Sequence, residues 1–109
     1  MRLPESVGLL VDIVAVPSPT GHEEDAARML ADRLPRFGWE TSHLDGAGSV
    51  IATRGNGDKE LVLLSHIDTV PGGPKLFVNE ERIEGRGSVD AKSPCCALAV
   101  GGGAVEVPE

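Results

Sequence analysis

The chain has 109 residues, 40% of them hydrophobic, which allows one small domain with a core of limited reserve. Ten basic against seventeen acidic residues leave a formal net charge of −7, and this excludes the clustered Lys and Arg surface that nucleic acid requires. No apolar run reaches the length of a membrane span and no charged-then-apolar leader opens the chain, so a cytoplasmic protein with no membrane attachment is the expectation.

In chain order, Leu9, Leu10, Ile13 and Val14 share one face of a helix predicted over Glu5–Ala15, which Pro17 and Pro19 end. Thr20 and Glu23 have the spacing of a capping box, and the helix behind them turns Ala26, Leu30, Leu34 and Phe37 inward until Gly38 stops it. Strands are predicted over Trp39–Leu44 and Ser49–Arg54. Leu61-Val62-Leu63-Leu64 is a continuous apolar run of the kind that suits a central strand covered on both faces. Short strands at Leu76–Val78 and Arg82–Glu84 flank an Asn79-Glu80-Glu81 link with hairpin character. A last helix starts near Ser93-Pro94 and stops at Gly101-Gly102-Gly103, and Val105-Glu106-Val107-Pro108 reads as the approach to a further strand. The fold class is therefore α/β, a layered, mostly parallel or mixed sheet flanked by helices. Cys95 and Cys96 are adjacent, fit no zinc-finger or redox spacing, and are expected to be reduced and buried.

Two stretches carry chemistry. His66 and Asp68 follow the apolar run directly, where ligand sites gather in open α/β sheets, and their spacing of two puts both side chains on one side of an extended chain. Such a pair can serve as a metal-binding imidazole with a supporting carboxylate, and taken alone is more often a plain hydrogen-bonded pair. Gly85-Arg86-Gly87-Ser88-Val89-Asp90-Ala91-Lys92 offers Asp90 just before a helix, either as a metal-bridging carboxylate or as a helix cap. Lys92 reads as a solvated charge, and Arg86 as a member of an ion pair or a contact for a substrate carboxylate. His22 and His43 have no partner at ligand spacing, and Glu23-Glu24-Asp25 suits a helix N-terminus.

Taken in order, Val16 through Glu24, Ser49 through Ala52, His66 through Pro71 and Gly85 through Lys92 resemble the opening of the acetylornithine deacetylase and succinyl-diaminopimelate desuccinylase family of metallohydrolases. Thr20-Gly21-His22-Glu23 and Val89-Asp90-Ala91-Lys92 look most like the members that release lysine or ornithine from an amino-group carrier protein. The resemblance implies a zinc-exopeptidase-like catalytic core. It makes residues 1–109 the N-terminal part of that catalytic domain, truncated before the remainder and before a smaller dimerising domain. It also implies hydrolysis of the amide bond of an N-acylated amino acid by water activated on two zinc ions, cobalt being an alternative. His66 would ligate one zinc, Asp90 would bridge both, and Asp68 would belong to the catalytic site by orienting His66. Ser65 and Ser93 stand where the family usually has glycine. The family's general-base glutamate has no counterpart in this chain, so the chain alone is expected to be inactive. Its partners would be an N-acyl amino acid or the carrier protein and, through exposed strand edges, a second copy. Two other readings stand beside this one, a non-catalytic oligomerising module and a parent enzyme that is a dipeptidase or carboxypeptidase.

Overall fold

The computed structural model describes residues 3–106 and consists of three helices with two small sheets. Helix α1 (Glu5–Ala15) buries Leu9, Ile13 and Val14, and α2 (Glu24–Arg33) buries Ala26, Ala27, Leu30 and Ala31, each at helical spacing. A 3-10 turn (Leu34–Phe37) continues α2 and ends at Gly38, whose φ of 101° is the left-handed stop that glycine adopts without cost. Strands β1 (Thr41–Leu44) and β2 (Val50–Thr53) pair antiparallel, with His43 opposite Ile51. Asp45 makes their turn by accepting the amides of Ala47 and Ser49 on Oδ1. A second hairpin joins β3 (Phe77–Val78) to β4 (Ile83–Glu84), and Asn79 closes it by accepting the amides of Glu81 and Arg82. Helix α3 (Lys92–Ala104) completes the chain of elements. Val105 and Glu106 follow it in irregular conformation, and Val107 and Pro108 lie outside the described residues.

The core forms where α1, α2 and α3 meet. Leu9, Ile13, Leu30, Leu34, Cys96 and Ala99 make one buried cluster, with Trp39, Val50 and Ala52 packed against it. Each fully buried Leu or Ile contributes about 1.5–3 kcal/mol. Long-range polar ties fix the elements to one another. Arg33 pairs with Asp12 at 2.7 Å across α1 and α2, and the Ser42 hydroxyl donates to the Ala31 carbonyl at 2.7 Å. Lys92 makes the deepest tie. It is 1% exposed, and its Nζ donates to the carbonyls of Ile13 (2.8 Å) and Val16 (3.0 Å). The Ile13 oxygen belongs to the last turn of α1, which has no helical partner for it, and the Val16 oxygen to the extended residue that caps the helix.

Several elements differ from the sequence expectation, each for a physical reason. The α/β class holds, but both sheets are antiparallel pairs, and the parallel contact found is an isolated bridge between Pro19 and Thr69. Leu61–Leu64 is not a strand. Its residues are 85%, 61%, 40% and 84% exposed, because no described strand lies beside them to receive their backbone groups. Thr20 and Glu23 do not form a capping box: α2 has no side-chain cap, and Thr20 turns to Asp68 instead. Lys92 is buried rather than solvated. Gly101–Gly103 lie inside α3 rather than ending it. In the last turn the Gly102 and Gly103 carbonyls accept from the Arg54 guanidinium outside the helix, and one turn earlier the Ala99 carbonyl also accepts the Trp39 indole N–H at 2.7 Å. Gly103 also permits a close approach, since a Cβ there would lie 1.9 Å from the Phe37 carbonyl oxygen.

Two stability tests follow from this packing. Lys92→Met leaves the Ile13 and Val16 carbonyls buried without donors and is expected to cost about 3 kcal/mol in urea unfolding. A loss below about 0.5 kcal/mol, the size of an ordinary surface change, would show that the tie is dispensable. In α3, Gly101→Ala meets open space and is expected to stabilise by about 0.5–1 kcal/mol, whereas Gly103→Ala drives α3 off the end of α2 and lowers the melting temperature. Equal effects of the two alanines would contradict the packing described.

Candidate active site

Three loops converge on one cleft of about 370 Å³, which Thr20, His66, Asp68, Arg86, Ser88 and Asp90 help to line. The first loop, after α1, is clipped onto the second by backbone and side chain. Thr69 N–H donates to the Ser18 carbonyl (2.9 Å) and Thr20 N–H to the Thr69 carbonyl (3.2 Å). The fully buried Ser18 hydroxyl donates to the Ile67 carbonyl (2.7 Å). The third loop, Gly85–Ala91, passes close beneath. Gly87 has φ 84°, and a Cβ there would lie 2.6 Å from the Thr69 methyl group. The Lys92 amide donates to the Gly87 carbonyl at 3.0 Å, so the segment carrying Asp90 closes on the first turn of α3. The Asp90–Ala91 peptide bond is cis.

This arrangement brings the three site residues expected from sequence together. His66 Nδ1 lies 3.1 Å from Asp68 Oδ1, and His66 Nε2 lies 3.3 Å from Asp90 Oδ1. One imidazole thus has a carboxylate at each nitrogen. Asp68 is itself held, because the Thr20 hydroxyl donates to its Oδ2 at 2.8 Å. That bond is the main influence keeping the Asp68 carboxyl below the usual carboxylate range of 3.8; partial desolvation opposes it, and the His66 charge adds to it. Asp90 is the open member, with a side chain 90% exposed against 52% for His66.

The donor set has the dimensions of half a metal site. Zinc binds imidazole nitrogen at about 2.0–2.1 Å and carboxylate oxygen at about 2.0–2.2 Å, so two such ligands on a tetrahedral ion stand about 3.4 Å apart. The separation of 3.3 Å between His66 Nε2 and Asp90 Oδ1 matches that edge. Among the described residues, no group of three His, Cys, Asp or Glu side chains completes a metal cluster. Cys96 is not a candidate, since burial first and then the neighbouring Cys95 push its thiol up to about 12, against the pull of Lys92. Lys92 serves the site only through the backbone, and burial lowers the pKa of its ammonium. Arg86 donates from Nε to the Gly72 carbonyl at 2.8 Å, so it fastens the Pro71–Gly73 turn to the third loop. His22 and His43 are exposed and away from the cleft. Thr20 and Ser18 are the residues that sequence reasoning missed as parts of the site. The signal was a hydroxyl on either side of Pro19, and only the long-range docking gives it meaning.

No family model matches the chain. Individual proteins do. A LysW-lysine/LysW-ornithine hydrolase of Pyrococcus abyssi is 40% identical over 101 residues, which is 90% of this chain and 29% of that protein. The corresponding protein of Pyrococcus horikoshii is 44% identical over 95 residues, 86% of this chain and 29% of its own length. The LysW-lysine hydrolase of Deinococcus radiodurans is 40% identical over 91 residues, 83% of this chain and 25% of its own. The chain belongs to this hydrolase family. It spans less than a third of the length of these family members. A match over 90% of the chain necessarily contains Thr20, His66, Asp68 and Asp90.

The electrostatics of the site set a pH signature. Because the folded Asp68 carboxyl is more acidic than its unfolded value, its contribution to stability is complete above about 3.8 and is lost as pH falls through the lower, folded value. Acid unfolding of wild type and Asp68→Asn is expected to differ in slope across that window and to run parallel above it. Parallel curves throughout would mean that the Thr20 bond does not act on Asp68 in solution.

Proposed function

We propose that this chain carries one half of the metal site of an amidohydrolase that releases lysine or ornithine from a carrier-protein-linked or otherwise N-acylated form. The observation that carries the reading is the arrangement around His66. Its Nδ1 lies 3.1 Å from Asp68 Oδ1 and 3.3 Å from the Asp68 carbonyl oxygen, so an Nδ1–H would find its acceptors in Asp68, and Nε2 faces Asp90 Oδ1 at 3.3 Å. An imidazole held in that tautomer, beside a free carboxylate, is a preorganised nitrogen–oxygen donor pair. The names of the related proteins supply the substrate class.

A zinc-like ion held there by His66 and Asp90 would acidify its bound water from about 15.7 toward about 7 and polarise the amide carbonyl. The chain's own residues have four tasks in this scheme. His66 would hold the ion through Nε2. Asp68 holds the Nδ1 proton and keeps the ring from turning. Asp90 contributes negative charge at the open side of the cleft. Lys92 and the Gly87 carbonyl hold the backbone that presents Asp90. No glutamate lines the cleft among the described residues, and in this scheme Asp68 supports His66 while Asp90 holds the ion, so the acceptor for the water's proton is assigned to no residue of this stretch. The chain by itself is therefore proposed to bind the metal without turning substrate over.

Titration with cobalt(II), followed by its visible absorption, and with zinc, followed by calorimetry, tests this. Binding is expected in wild type, strongly weakened in His66→Ala and in Asp90→Ala, with no release of lysine from acetyl-lysine. Metal binding that survives His66→Ala unchanged would sink the proposed site, and hydrolysis that disappears in His66→Ala would sink the claim that the chain is inactive alone.

A further inference from the structure

The bond between Thr20 and Asp68 joins positions 48 apart in sequence, yet it adds little to the core, since both groups lie at the surface of the cleft. Its geometry gives it another use. Asp68 has two carboxylate oxygens, and each has a single defined side-chain partner: Oδ1 faces His66 Nδ1 at 3.1 Å and Oδ2 accepts the Thr20 hydroxyl at 2.8 Å. A carboxylate held at one oxygen only is free to rotate about its Cβ–Cγ bond. Held at both, it presents Oδ1 to the imidazole in a fixed direction. Thr20 in turn is not mobile in the way its exposure implies. Its amide donates to the Thr69 carbonyl, one residue past Asp68, and Ser18 clips the same loop at Ile67 and Thr69. The hydroxyl therefore stands at a fixed height against the strand-like segment that carries both His66 and Asp68.

We propose that Thr20 is a positioning residue of the site, whose hydroxyl locks the Asp68 carboxylate in the orientation that fixes His66 as the Nδ1–H tautomer and leaves Nε2 open toward Asp90. The inference rests on the reading of His66 as a metal ligand for its purpose, but its physical content is a tautomer preference in the protein without metal. The Asp68 carbonyl oxygen at Nδ1 and Asp90 Oδ1 at Nε2 act on the two tautomers irrespective of Thr20; a carboxylate held toward Nδ1 adds to the Nδ1–H form, and a loosened one adds less.

The test is long-range proton–nitrogen NMR on the metal-free chain, recorded over a pH series so that the ratio is read where the nitrogen shifts of each ring no longer change with pH. His22 and His43, both exposed, provide the tautomer mixture of an unconstrained ring in the same spectrum. Wild-type His66 is expected to be predominantly Nδ1–H. Thr20→Val, which keeps the shape and removes the hydroxyl, is expected to lower the Nδ1–H to Nε2–H ratio roughly fivefold, and Thr20→Ser to restore it. The same three proteins are then titrated with zinc, with affinity in Thr20→Val expected to fall by up to roughly tenfold and to recover in Thr20→Ser. A tautomer ratio unchanged in Thr20→Val overturns the inference, as does a change that serine fails to reverse, because the threonine methyl rather than its hydroxyl would then be responsible. If wild-type zinc binding proves independent of His66, the metal-site reading fails on its own, while the tautomer ratios still decide the role of Thr20. Should Thr20→Val unfold, Thr20→Ala gives the same comparison without a branched side chain.

Discussion

The structure depends on one buried ammonium. Lys92 opens α3, and its side chain runs under the third site loop to the end of α1, where the carbonyls of Ile13 and of the capping residue Val16 would otherwise face a dry interior. A positive group suits that place twice, since the helix C-terminus carries partial negative charge and its last oxygens need donors. A neutral residue of the same length would fill the space and leave the oxygens unpaired. The amide of the same residue closes the Gly87–Lys92 turn. One side chain thus joins the first helix to the last, and the backbone beside it sets where Asp90 stands.

The site is built by clipping loops rather than by a sheet. Ser18, Thr20 and Thr69 lock the segment after α1 to the segment that carries His66, and Gly87 lets the Asp90 loop approach the Thr69 methyl group. Each clip is modest in energy, since a typical hydrogen bond contributes about 0.5–1.5 kcal/mol net. Their value lies in placement: residues from three separate stretches come within contact distance of one imidazole, and a donor pair works only when its separation is right.

Much of this was legible in the sequence. The periodicity of Leu9, Ile13, Leu30 and Leu34 marked α1 and α2, Gly38 marked a stop, and the two-residue spacing of His66 and Asp68 foretold their contact. The readings that failed share a cause. Thr20 was read against Glu23, its neighbour in sequence, whereas its hydroxyl finds Asp68 on a distant loop. Three consecutive glycines signal the end of a helix when only propensity is weighed, but Arg54 donates to the last carbonyls of α3, and Trp39 to one a turn earlier, from outside it. Lys92 was placed in solvent because its acceptors are backbone atoms, which no composition displays. His66 and Asp90 are 24 positions apart, and nothing in the spacing alone joins them; the structure places His66 Nε2 3.3 Å from Asp90 Oδ1.

The apolar run Leu61–Leu64 has a consequence for the behaviour of many copies together. It presents β-branched and leucine side chains with backbone groups that no described strand satisfies, which is the description of a template for intermolecular pairing. The net charge of −7 opposes such pairing by long-range repulsion. That protection vanishes at the isoelectric point of about 4.9, and added salt shortens its reach. Neutralising the acidic surface therefore removes the repulsion that opposes pairing through this already exposed segment, without any change in the fold.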